Sequence, residues 1–221
     1  MRRRVTVIIT LVMLCSTLWL TLAGCARDEG VLPPVEIREY QGEKLSSIND
    51  FRENSIKGPQ HINMEDYRLQ IDGLVGNPDS YTYDQVIEGY QHYKKVVTLD
   101  CVEGWSVTIL WEGVLVRDLL EKVTPLPEAK VIIFHAYDGY TTSLPIDYFT
   151  DRDILMAYMM NGVTIPPERG FPFQLVAESK WGYKWIKWIT RIELSDDVNY
   201  RGYWESRGYS NTADLDKYFF D

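Results

Sequence analysis

Three kinds of residue are scarce in this 221-residue chain, and each scarcity removes a class of function. Cysteine occurs only as Cys15, Cys25 and Cys101, so there is no Cys-x-x-Cys pair for a zinc knuckle or a dithiol couple. The histidines are His61, His92 and His135, at spacings that match no zinc pattern and without a His-Glu-x-x-His motif. Glycine never clusters into a phosphate-cradling loop. Positive charge is also in deficit. With 23 Lys and Arg against 32 Asp and Glu, the formal charge of −9 excludes a general nucleic-acid binder, which needs a basic surface for phosphates. Repeats and low-complexity tracts are absent. What remains, 45% hydrophobic and 13% aromatic residues, is ample for one packed domain plus an export segment.

The long hydrophobic run lies at the N-terminus. Arg2, Arg3 and Arg4 form a positive head, an apolar stretch runs from Val5 to Leu22, and Leu22-Ala23-Gly24-Cys25 ends it with small residues before a cysteine. This is a signal-peptide layout, and its ending resembles a bacterial lipobox, which implies cleavage before Cys25 and lipidation of that residue. An uncleaved membrane anchor is the alternative, since the span is about long enough to cross a bilayer. Either way the rest of the chain is expected outside the cytoplasm, tethered to a membrane. Residues 26–45, with Pro33-Pro34 and mixed charge, read as a linker, and residues 46–221 as a single domain.

Within that domain Cys101 is the lone thiol. It has no internal disulfide partner, so it is an inert core residue, an intermolecular link, or a ligand or nucleophile. Alternation over Tyr67–Val75 predicts a strand, Tyr83–Tyr90 a short helix, and Val96–Leu99 a buried strand running into Cys101. Val116, Leu119, Leu120 and Val123 share a helical face; Val131–Phe134 is a buried strand. Ile154–Met160, Asn161-Gly162 and Val163–Ile165 spell a hairpin with a type I′ turn. Phe173–Ala177 and Trp185–Leu194 are expected to be further strands, the latter with Ile186, Trp188, Ile192 and Leu194 on one face and Lys187, Arg191 and Glu193 on the other. The fold class is therefore strand-rich α+β.

Cys101-Val102-Glu103-Gly104-Trp105-Ser106 follows a strand, and Gly104 permits a tight backbone path. A thiolate there suits a soft metal, and spacing alone reads equally as a core cysteine before a turn. A cysteine protease would need a histidine partner, and His135 has no supporting local signature. A metal-free thiol reductase lacks a resolving cysteine.

The stretch Leu99–Ser106, with Trp111-Glu112-Gly113-Val114 downstream, resembles the molybdopterin-binding domain of the sulfite oxidase superfamily. Phe51-Arg52-Glu53-Asn54-Ser55 resembles the family's Phe-x-Arg-Asn-His motif. Asn161-Gly162 with Gly170-Phe171-Pro172-Phe173, and Gly182-Tyr183-Lys184-Trp185-Ile186-Lys187-Trp188, resemble two later motifs in the family's order. The resemblance implies a sulfite oxidase-like fold with one molybdenum–molybdopterin per chain. Cys101 would be the metal ligand, Asn54, Asn161, Gln174, Trp185, Ile186 and Lys187 cofactor contacts, and Tyr140 an active-site tyrosine. By residue type alone, Lys187 reads as a solvated strand face, Asn161 as a turn, Asn54 as a helix cap and Tyr140 as a surface loop.

The departures from sulfite oxidases are informative. Glu53, Ser106 and Gln174 stand where the family carries arginines, and Glu53 would repel a dianion. Cys-Val-Glu-x-Trp-Ser is similar to the bacterial methionine-sulfoxide reductase branch. This implies oxygen-atom transfer on a small or methionine-sulfoxide-like substrate, with a haem- or quinone-linked membrane electron partner. The chain has no haem or dimerisation domain, so a monomer is expected. The rival expectation is a metal-free accessory lipoprotein of the same fold, because Val5-Thr6-Val7 after Arg3-Arg4 matches the twin-arginine export signal poorly.

Overall fold

The computed structural model describes residues 35–220; the apolar leader, Cys25 and the first part of the expected linker lie outside the described residues. The linker reading does not extend over residues 36–45. The Glu36 carboxylate accepts hydrogen bonds from the Ile48 amide at 2.7 Å and the Ser47 hydroxyl at 3.1 Å. A small hairpin follows, β1 (Glu39–Tyr40) and β2 (Glu43–Lys44), turning through Gln41 and Gly42 at positive φ. Leu45 is buried behind it. Tertiary hydrogen bonds decide this segment, and it is too short to carry a periodic signal.

Next come β3 (Leu69–Gly73), β4 (Asp79–Tyr81) and α1 (Tyr83–Gly89), then β5 (Tyr93–Asp100) and β6 (Ser106–Leu115). After α2 (Val116–Val123) follow β7 (Val131–Ala136), β8 (Thr141–Pro145) and α3 (Asp147–Thr150). The last strands are β9 (Leu155–Met160), β10 (Val163–Thr164), β11 (Gln174–Leu175) and β12 (Ile189–Ser195). They form two five-stranded sheets. One runs β10-β9-β6-β5, with β11 also on β9, and is antiparallel throughout. The other runs β4-β3-β12-β7-β8, in which β12 pairs parallel with β3 and antiparallel with β7.

Local chemistry explains the elements. Thr82 and Gln85 form a reciprocal capping box at the start of α1. Val116, Leu119, Leu120 and Val123 of α2 are all buried, as their spacing requires. Asn161 and Gly162 turn the β9–β10 hairpin at φ 46° and 78°, the positive values a type I′ turn needs. Ile109, Trp111 and Leu155 of the first sheet share one apolar cluster with Ile71, Phe134 and Ile192 of the second and with α2. Burying each such side chain contributes about 1.5–3 kcal/mol.

One strand is shorter than its pattern predicts. Trp185–Trp188 is not extended; a 3-10 turn spans Gly182–Lys184 and β12 begins only at Ile189. Trp188 sits at φ 53°. Its amide donates to the Gly170 carbonyl at 3.2 Å and its indole to the Pro167 carbonyl at 2.7 Å, so tertiary bonds override strand propensity. As a result Lys187 and Trp188, expected on opposite faces of a strand, line the same cavity.

β6 crosses β9 through a bulge between Glu112 and Gly113. A Cβ on Gly113 would lie 2.2 Å from the Met156 carbonyl oxygen. Gly113→Ala is therefore expected to lower the unfolding free energy in urea by about 2–3 kcal/mol. A value within about 0.5 kcal/mol of wild type, as at an ordinary surface position, would contradict this close approach.

Candidate active site around Cys101

The β5–β6 hairpin presents Cys101 in its loop. Asp100 pairs with Ser106 at the end of the ladder, and the five residues between make a tight turn. The Cys101 amide donates to the Trp105 carbonyl at 2.9 Å, and Gly104, at φ 79°, donates back to the Cys101 carbonyl at 3.0 Å. Only glycine takes that φ without strain. The Asn54 amide nitrogen lies 3.7 Å from Sγ as a donor. Burial pushes the Cys101 thiol above its ordinary range, and the neighbouring Glu103 charge adds to the effect.

The turn Gly182–Lys184 closes on the thiol from the other side. A Cβ on Gly182 would stand 3.2 Å from the Asp100 carbonyl oxygen and 3.4 Å from the Cys101 Cα, so glycine permits the approach. Lys184 anchors the turn. Its ammonium is fully buried and donates to Glu205 Oε1 at 2.5 Å and to the Ser143 carbonyl at 2.9 Å. Burial holds its pKa below the usual lysine range.

Two cavities meet at this point. The first, about 150 Å³, is lined by Asn54, Cys101, Glu103, Asp138, Tyr140, Trp185, Lys187, Trp188, Trp204 and Tyr209 among others. The second, about 40 Å³, shares Asn54, Cys101, Gly182, Trp185 and Lys187 and adds Arg52, Arg169 and Gln174. Cations and a carboxylate meet where they join. Lys187 Nζ lies 3.4 Å from Glu53 Oε2, and Arg169 lies 4.0 Å from the same oxygen. Burial lowers the pKa of both Lys187 and Arg169. Burial also pushes the Glu53 carboxyl up, but hydrogen bonding from Ser55 and the Lys187 charge outweigh it and hold the group below its usual range.

The structure thus brings together Cys101, Asn54, Gln174, Trp185, Ile186, Lys187 and Tyr140. Tyr140 lines the cavity, but its hydroxyl donates to the Tyr183 carbonyl at 2.5 Å, and burial together with the Glu205 charge pushes its pKa well up. Its proton is held by the backbone. Asn161 lies in neither cavity, which corrects its assignment as a cofactor contact. Its Oδ1 accepts from the Leu110 amide at 2.9 Å, and its Nδ2 donates to Glu36 and the Ser46 carbonyl at 2.8 and 2.9 Å. The side chain is fully used in fastening the N-terminal segment to the hairpin.

Sequence reasoning did not single out Glu103, Asp138, Trp204 and Tyr209 as site residues, while Arg169, with Lys180, was readable as a substitute for the arginines the family carries. Glu103 had a usable signal, since it lies two residues from Cys101 in the same motif. Trp204 and Tyr209 had none, because they come from the irregular segment after β12.

A pterin-held metal fits these residues. Among the described residues no cluster of three or more His, Cys, Asp or Glu exists to bind a metal, so a metal at Cys101 would need further ligands from a cofactor or solvent. Gln174 Oε1 and Ser55 Oγ are buried without a hydrogen-bond partner, and each residue lines one of the two cavities. Buried polar groups are rarely left so, and a polar heterocycle would satisfy them. Asn54, Lys187 and Arg169 add donors for an anionic cofactor tail.

Two measurements probe this geometry. Alkylation of Cys101 in cofactor-free protein, followed by mass spectrometry, is expected to be slow at neutral pH. Its rate should rise with pH through a midpoint above the ordinary thiol range, because the thiolate is the nucleophile and its pKa is raised; a midpoint at or below the ordinary range would overturn the burial argument. Asn161→Ala is expected to lower stability by about 2–4 kcal/mol by orphaning several buried groups. Cofactor content per folded chain should be unchanged, and selective loss of cofactor from a stable variant would return Asn161 to the site.

The family described as oxidoreductase molybdopterin binding domain matches residues 56–204. The uncharacterized oxidoreductase YuiH of Bacillus subtilis (strain 168) is 35% identical over 157 residues, covering 71% of this chain and 78% of that protein. The protein-methionine-sulfoxide reductase catalytic subunit MsrP of Pseudomonas syringae pv. tomato is 28% identical over 196 residues, 81% of this chain and 57% of its own length. The sulfane dehydrogenase SoxCD of Paracoccus pantotrophus superposes with a TM-score of 0.62 at 23% identity, over 70% of this chain and 43% of that one, which establishes the fold. With its thiol at the junction of two cavities, the chain belongs to the molybdopterin-binding oxidoreductases of the sulfite oxidase superfamily.

Proposed function

We propose that this protein reduces an organic sulfoxide of the methionine-sulfoxide type, R2SO + 2 H+ + 2 e− giving R2S + H2O, with one molybdopterin bound per chain. The leader ending at Cys25 supports an extracytoplasmic lipoprotein tethered near a membrane electron donor of haem or quinone type. The observation that carries the substrate reading is the charge of the cavity. Glu103 and Asp138 line it, and its lysine, Lys187, faces the Glu53 carboxylate at 3.4 Å. Lys187 and Arg169 share the Glu53 counter-ion and Arg52 is the remaining cation beside Cys101, so in this reading the lining suits an uncharged oxide better than sulfite or nitrate. The likeness to MsrP points the same way.

When bound, the molybdenum centre would supply the two-electron oxygen-transfer chemistry. The protein's part is to hold and orient. Cys101 provides the thiolate, and Asn54 donates toward its sulfur, drawing charge from it. Trp185 and Lys187 form the wall shared by both cavities, Gln174 lines the smaller and Ile186 the larger. Glu103 is the cavity carboxylate on the cysteine's own loop. Its Oε2 accepts from the Trp105 indole at 2.9 Å, and the Tyr140 proton stays with the Tyr183 carbonyl.

Cys101→Ser, nearly isosteric and within a buried loop, is expected to fold. Molybdenum content should fall from about one per chain to background, and sulfoxide-dependent oxidation of a reduced viologen should disappear. Full activity in that variant would sink the assignment of the ligand.

A further inference from the structure

We propose that the segment Tyr200–Tyr209 is the substrate-selecting wall of the Cys101 cavity, with Trp204 and Tyr209 holding the organic part of an uncharged sulfoxide against their ring faces. The proposal rests on the sulfoxide-reductase reading and adds to it the residues that discriminate among sulfoxides.

Trp204 and Tyr209 line the larger cavity from a segment that belongs to neither sheet. Both are half-buried, unlike Trp111 and Trp188, which are enclosed in the core. Their rings stand 5.3 Å apart, and Tyr209 stands edge-on to Tyr183 at 5.1 Å, so the wall is a continuous aromatic surface. Such surfaces attract apolar groups and polarizable sulfur.

The wall is held rigidly with respect to the thiol. Glu205, between the two rings in sequence, is fully buried and accepts from Lys184 and from the Thr142 hydroxyl, each at 2.5 Å. Lys184 belongs to the turn pressed on Cys101. Gly202 packs so closely that a Cβ there would lie 2.2 Å from the Thr141 carbonyl oxygen, to which the Tyr203 amide donates at 2.9 Å. One ion pair therefore fixes both the metal ligand's neighbour and the aromatic wall, which favours selection by fit over adaptation. With Glu103 and Asp138 lining the same cavity, a carboxylate on the substrate meets repulsion, while an aryl or alkyl group meets rings.

The test uses cofactor-loaded protein and three probes: dimethyl sulfoxide, methyl phenyl sulfoxide, and the latter with a para-carboxylate. Steady-state KM values are measured for all three. Binding of methyl phenyl sulfoxide to the oxidised protein, which cannot reduce it, is measured by calorimetry. The wild type is expected to show a KM for methyl phenyl sulfoxide about tenfold below those of the other two, the size of an aromatic contact. In Trp204→Ala and Tyr209→Ala that preference should collapse toward unity, the loss residing in KM and in calorimetric affinity, while Trp204→Phe retains most of it. Tyr218→Ala, an exposed ring outside the cavity, controls for general surface effects. Molybdenum content of each variant reports its folding.

If the wild type reduces sulfoxides and the two alanine variants keep its preference, the wall is refuted and the reductase reading stands. If the wild type binds the aryl sulfoxide through Trp204 and Tyr209 but never reduces a sulfoxide, the wall stands and the reading falls. No binding and no turnover would overturn both.

Discussion

A lysine and a glutamate without solvent exposure, Lys184 and Glu205, hold this site together. Removing two charges from water is costly, and the cost is recovered only when hydrogen bonds complete the pair. Here Lys184 also reaches the Ser143 carbonyl and Glu205 Oε1 also takes the Thr142 hydroxyl, so the recovery is partial, because Glu205 Oε2 is buried without a hydrogen-bond partner. The pair thus joins β8, the turn that presses on Cys101, and the C-terminal segment that carries Trp204. Each of these is irregular or edge structure with little stability of its own. The ion pair gives them one fixed arrangement, which a cavity built from loops requires.

A second constraint is electrostatic. Where the superfamily's N-terminal motif carries an arginine, this chain carries Glu53, and the structure sets its carboxylate against Lys187 and Arg169. Two cations that line the smaller cavity, Lys187 and Arg169, thus share one counter-ion, while Arg52 lines it as a third cation. The Glu53 carboxylate stays ionised because Lys187 and the Ser55 bonds outweigh its desolvation.

The cysteine loop depends on both. Cys101 leaves β5 at the end of a long hairpin ladder, turns through Gly104 at positive φ, and meets Gly182 at a distance that would crowd a larger residue. Its sulfur is buried, its pKa raised, and the Asn54 amide is directed at it. Such a thiol is a poor free nucleophile, and a metal bound there would replace the proton that burial retains.

The sequence by itself determined the strands flanking Cys101, the α2 face and the Asn161-Gly162 turn, since each follows from residues adjacent along the chain: periodicity, capping or positive φ. Cys101 and most of the cavity wall were legible through short family-like motifs, since spacing alone read that thiol equally as a core residue. Tertiary structure decided the rest. Trp185–Trp188 reads as a strand and is not one, since the bonds of Trp188 to Pro167 and Gly170 come from a distant loop. Asn161 reads as a cofactor contact and instead fastens Glu36 and Ser46. Trp204 and Tyr209 carry no local pattern; they reach the cavity through the Lys184–Glu205 pair, whose partners mean nothing until the chain has folded. Short-range preferences are written in neighbouring residues, whereas a buried charge pair is stable only where the whole fold excludes water from it.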